Sequence, residues 1–149
     1  MLTIALVLAA AAAAPSSSLP TCALPDGTRV RLELALSDAE KANGLMFRDS
    51  LPADHGMLFI FVVDGKYPFW MKNTFIPLDM VWLTATGQVV SVRTVQPCRA
   101  DPCPSYEPAG PVRAVLELNA GAAGAHGVKP GAVLRFADVP GFPPPGGKR

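Results

Sequence analysis

Apolar and polar side chains alternate along residues 28–36. Val30, Leu32, Leu34 and Leu36 fall on one side and Arg31, Glu33 and Ala35 on the other. That two-residue period is the signature of a strand with one buried face. The alternation breaks at Ser37-Asp38-Ala39-Glu40. Ser37 and Glu40 have capping-box spacing, in which each side chain satisfies the other's backbone N–H, so a short helix is predicted over 38–46. Residues 49–56 are rich in turn formers, and 56–63 (GMLFIFVV) is a continuous apolar run of strand length. Asp64-Gly65 turns the chain, and 68–74 reads as an extended aromatic segment. Residues 78–84 and 88–95 form a hairpin pattern across Ala85-Thr86-Gly87.

The second half is punctuated by proline. Residues 97–111 hold Pro97, Pro102, Pro104, Pro108 and Pro111. Proline donates no backbone hydrogen bond, so this stretch reads as a rigid surface loop rather than a central strand. A strand follows over 112–118, then a short helix within 119–126. Val128-Lys129-Pro130-Gly131 makes a tight turn, with proline pre-set at its second position and glycine supplying positive φ. A last strand covers 132–137, and 140–149 (PGFPPPGGKR) reads as a disordered tail. There is no internal repeat. Six or seven strands with one or two short helices predict a mainly β fold: a small β-sandwich, jelly-roll-like or barrel-like single domain over 22–139.

Composition matters chiefly at the N-terminus. Thirteen of the first 14 residues are apolar, and no charged residue precedes Asp26. Such a run followed by small residues is expected to be an export signal over 1–18, cleaved to leave a secreted or periplasmic protein without stable membrane insertion. The alternative is a retained anchor, but 13 residues span only about 20 Å as a helix, short of the ~30 Å hydrocarbon core. The 13 basic and 12 acidic side chains nearly cancel. That balance argues against a nucleic-acid partner, which calls for a basic excess. Cys98 and Cys103 bracket four residues and are expected to form a disulfide in an oxidising compartment, with Cys22 as the alternative partner for either. His55 and His126 lie far from these cysteines in sequence, so no metal site is expected. No nucleophile elbow, zinc-protease motif, phosphate loop or dinucleotide fingerprint is present, and no cofactor is expected.

Two carboxylates stand on apolar strand faces: Asp79 shares its face with Val81 and Leu83, and Glu117 with Val115. A buried carboxylate must find donors or a cation, or its pKa rises. Arg48 and Lys72, both set among apolar residues, have the complementary sign. These residues predict a partly buried polar cluster of Arg48, Lys72, Asn73, Asp79 and Glu117, with Trp70 packed nearby. Three functions fit such a cluster. It can hold a polar small ligand or cell-envelope component, making the protein a binding or accessory module. It can serve hydrolysis of envelope polysaccharide, with Asp79 and Glu117 as acid and base. Or it can be an internal network tying helix and loops to the sheet.

Five ordered motifs carry a family resemblance: GLMFR (44–48), GMLFIF (56–61), FWMKNT (69–74), IPLDM (76–80) and VLEL followed by Asn119-Ala120-Gly121. Together with Cys103 and Tyr106 they closely resemble the bacterial and archaeal family known as domain of unknown function 192, over roughly residues 28–136. The extra Cys98, in the proline-rich insert, departs from it. The resemblance implies a compact, mainly β fold of sandwich or jelly-roll type, often exported. It implies no catalytic residues.

Overall fold

The computed structural model describes residues 18–145. Nearly all of the expected export segment, and residues 146–149 of the expected tail, lie outside the described residues.

Thr21–Ala23 (β1) and Arg29–Ala35 (β2) pair antiparallel. Ser37 then caps the helix Asp38–Asn43 (α1) in the reciprocal box its spacing predicts: Glu40 N–H donates to Ser37 Oγ at 3.2 Å, and Ser37 N–H donates to Glu40 Oε2 at 2.8 Å. The helix is three residues shorter than expected because Gly44, at φ 47°, leaves the helical region. The crossover through α1 returns the chain to His55–Gly65 (β3), which lies parallel to β2, with Glu33 opposite Met57 and Ala35 opposite Phe59.

Of the extended aromatic segment, Phe69–Trp70 (β4) is a strand. It pairs with Ser105–Tyr106 (β7) of the proline-rich loop, outside the main sheet. Leu78–Leu83 (β5) and Val89–Val95 (β6) form the expected hairpin. Val112–Asn119 (β8) inserts between β3 and β5. Ala122–Ala125 (α2) follows, and Arg135–Ala137 (β9) closes the far edge beside β1. The strand order is β6-β5-β8-β3-β2-β1-β9. The fold is mainly β with two short helices, one seven-stranded sheet curled into a half-barrel.

Both sheet faces carry core. One face holds Leu32, Leu58, Val81, Leu116, Leu118 and Leu134. The other holds Ala35, Met57, Phe59, Met80, Trp82 and Val115. All six residues of β5 are buried, which explains its lack of an apolar–polar alternation. Fully burying each large side chain contributes about 1.5–3 kcal/mol. The Trp82 indole N–H is satisfied by the Tyr67 carbonyl at 3.1 Å.

Two details depart from the sequence pattern, and the cysteine pairing follows it. Leu36, expected on the buried side of the first strand, lies past its end and is 45% exposed, while Ala35 on the opposite face is buried. The expected disordered tail is packed at its start: Phe142 is buried, its ring edge-on to Phe136 at 4.9 Å. An aromatic ring among prolines still repays ordering when a hydrophobic site is open to it. Of the alternatives for the cysteines, Cys98 pairs with Cys103, their Cα atoms 5.6 Å apart. Cys22 is a free, fully buried thiol, pushed by burial up to about 12 and held protonated.

Candidate functional site

The six residues expected to form one polar cluster occupy four separate places. Arg48 turns to Glu33 on β2, its two guanidinium nitrogens donating to both carboxylate oxygens at 2.7 Å. That bidentate bond holds the Glu33 carboxyl below its ordinary range. It ties the loop after α1 to the sheet. The preceding residue, Phe47, has φ 62°, and its N–H donates to the Asn73 carbonyl at 2.8 Å. Asn73 is itself left-handed, at φ 53°. Lys72 and Asn73 face the disulfide loop: Lys72 Nζ lies 3.3 Å from Asp101 Oδ2 and 5.6 Å from the centroid of the Trp70 ring.

The two carboxylates lie on opposite faces of the sheet. Asp79 pairs across the ladder with Leu118, and Met80 pairs with Glu117. Cross-strand partners share a face and neighbours along a strand do not, so Asp79 joins the Leu118 face and Glu117 the Met80 face. This corrects the expectation of a joint cluster and removes the two-carboxylate hydrolase, whose groups must flank one bond. Asp79 is fully buried and fully used: Thr94 Oγ1 donates to one oxygen, and the Ala123 backbone N–H of α2 donates to the other at 2.8 Å. It anchors the short helix to the sheet.

Glu117 is the exception. It is 5% exposed, yet among the described residues no hydrogen bond or ion pair reaches its carboxyl. Its strand neighbours on that face are Met57 and Met80, which donate nothing. Among the described residues every side-chain oxygen sealed from solvent has a partner, so this unpartnered carboxyl opens into the cleft it borders. That cleft, of about 370 Å³, lies between α1 with its following loop, β3 and the segment leading into β4. Its walls are the rings of Phe59, Phe61, Tyr67, Phe69 and Trp70. Phe61 and Tyr67 stack at 3.6 Å, and Phe69 stands edge-on to Phe59 at 4.9 Å. Trp70 is half exposed at the mouth. Burial among these groups pushes the Glu117 carboxyl up to about 8. It is therefore mostly protonated at pH 7.

Of the residues expected from the sequence, Trp70 and Glu117 meet in this cleft; Arg48, Lys72, Asn73 and Asp79 serve elsewhere. Sequence reasoning missed Phe61, Tyr67 and Lys41. Phe59 and Phe61, two apart on a strand, did signal a shared aromatic face. Lys41 carried no such signal; it lines the cleft through α1, its ammonium 5.4 Å from the Phe61 ring centroid and donating to the Leu36 carbonyl. Among the described residues no three His, Cys, Asp or Glu side chains gather as a metal site, and no helix is long and apolar enough to cross a membrane.

The model of the domain of unknown function 192 family, described as an uncharacterised ACR, matches residues 21–136, and the chain belongs to that family. It resembles the crystal structure of a Sinorhizobium meliloti protein provisionally named a transcription regulator, with TM-score 0.70 and 34% identity, over 80% of this chain and 93% of that one. It also resembles a Novosphingobium aromaticivorans protein of unknown function, with TM-score 0.69 and 37% identity, over 85% of this chain and 93% of that one. No curated protein matches it.

Proposed function

We propose that this member of the family is a binding module whose site is the aromatic cleft over Glu117. The ligand has an apolar body, which the rings cover, and one polar group, which meets the carboxyl. The observation that carries this reading is the Glu117 carboxyl itself, nearly buried, without a partner and open to the cleft. Burial among apolar groups penalises the charged form of this carboxyl, so a fold that keeps one in a concave aromatic pocket favours a ligand that offsets that cost. The motif segments holding Gly44, Phe59, Trp70 and Glu117 all border this cleft. An extracytoplasmic setting belongs to the same proposal. The apolar N-terminal run and the Cys98–Cys103 disulfide support it, because disulfides persist in oxidising compartments.

Trp70 makes the test optical. It lines the cleft half exposed, whereas Trp82 is buried. Titrating the protein with benzyl alcohol should shift the tryptophan emission saturably, and Trp70→Phe should remove the response. A linear, unsaturating change, or one that survives in Trp70→Phe, would contradict a ligand site here. Untargeted mass spectrometry of small molecules co-purifying with the protein would then identify the natural occupant.

A further inference from the structure

We infer that the ligand presents a protonated amine to Glu117, an inference that rests on the cleft being the ligand site. Among the described residues no cation pairs with the carboxyl. Lys41, the lysine on the cleft wall, is committed to the Leu36 carbonyl and the Phe61 ring face. Arg48 is committed to Glu33 and Lys72 to Asp101. The groups beside Glu117 on β3 and β5 are Met57 and Met80, so any positive charge that meets the carboxyl comes with the ligand.

The residue type points the same way. A ligand alcohol would be served as well by glutamine, which donates and accepts without any ionisation cost. Retaining a carboxyl in an apolar pocket has a purpose when its charge is used, and a cation gains the most from that charge. A metal ion would need further ligands that the described residues do not gather there. An organic ammonium needs none, because ring faces complete its shell by cation–π attraction. Two rings bordering the cleft, Phe61 and Trp70, already lie beneath lysine ammonium groups at 5.4 and 5.6 Å. The cleft, at about 370 Å³, suits one ring or short chain bearing the amine.

Binding carries a proton balance. The titratable groups facing the cleft are Glu117 from β8, Lys41 from α1 and Tyr67 from the segment before β4. At pH 7 the free carboxyl holds its proton; pairing with R–NH₃⁺ favours the carboxylate, and the proton leaves to buffer. About one proton is therefore released per amine bound.

The experiment titrates the full chain with benzylamine, benzyl alcohol and benzoate by calorimetry, in phosphate and in Tris at pH 7. Benzylamine should bind at least tenfold more tightly than benzyl alcohol, and benzoate most weakly. The difference between buffers should report about one proton released with benzylamine. Glu117→Gln should abolish the amine preference, leaving benzylamine no tighter than benzyl alcohol, and Trp70→Ala should weaken amine and alcohol alike. If benzyl alcohol binds as tightly as benzylamine, the amine assignment falls while the cleft reading stands. If none of the three binds, the cleft reading falls and takes this inference with it. An amine preference that survives in Glu117→Gln also overturns the assignment.

Discussion

Replacing Glu117 with glutamine should stabilise the protein, increasingly so as pH rises. The wild-type carboxyl titrates near 8 in the folded chain and near its ordinary 4.5 in the unfolded one. Between those values the unfolded state has released a proton that the folded state retains. Raising the pH therefore favours unfolding. Each unit of difference is worth about 1.4 kcal/mol, so the penalty reaches about 3 kcal/mol by pH 7 and about 5 kcal/mol above pH 8. Below pH 4.5 it vanishes. Glutamine keeps the shape and does not titrate. Other acids shift downward, notably Asp26 and Glu33 through their partners His126 and Arg48, but they are common to both proteins and cancel in the comparison. The assay is urea denaturation of the two proteins at half-unit steps from pH 4.5 to 9, with the disulfide intact. Expected is a difference near zero at pH 4.5 that grows in favour of Glu117→Gln by several kcal/mol at pH 9. Two parallel curves would show that the carboxyl is solvated in the folded protein, and the reasoning about the cleft floor would fail.

Three further outcomes follow from the rest of the structure. Asp79→Ala should cost about 2–4 kcal/mol, because it strands the buried Ala123 N–H and the Thr94 hydroxyl, and urea denaturation at pH 7 will measure it; a loss below about 0.5 kcal/mol would mean that α2 needs no anchor. Reducing the Cys98–Cys103 bridge should lower stability by about 2 kcal/mol, the entropy of so short a loop, and add two mass units localised to that peptide; a bridge mapped to Cys22 would overturn the pairing. Arg48→Ala should cost under about 1 kcal/mol and be salt-sensitive, since the Arg48–Glu33 pair is more than a third exposed on both sides; a larger, salt-independent loss would mean that the side chain packs rather than pairs.

What the sequence determined by itself is what depends on short-range order. The period of two set β2, and the reciprocal spacing of Ser37 and Glu40 set the start of α1. The apolar runs announced β3, β5 and β8, and the five motifs announced the family. Two carboxylates on apolar faces marked the positions where something other than packing had to act. Their fate was not legible. A strand pattern says that a side chain lies on a face but not which of two faces, because the choice depends on register with strands distant in the chain. The pairing of Met80 with Glu117 put Asp79 under α2 and Glu117 in an aromatic cleft, so two similar carboxylates became a structural anchor and a candidate binding group. Arg48 and Lys72 likewise had the sign to reach either acid, and geometry gave them Glu33 and Asp101 instead. Charge and hydrophobicity are local properties of a residue, whereas a pair of charges is a matter of distance, and distance between remote segments exists only once the sheet has closed.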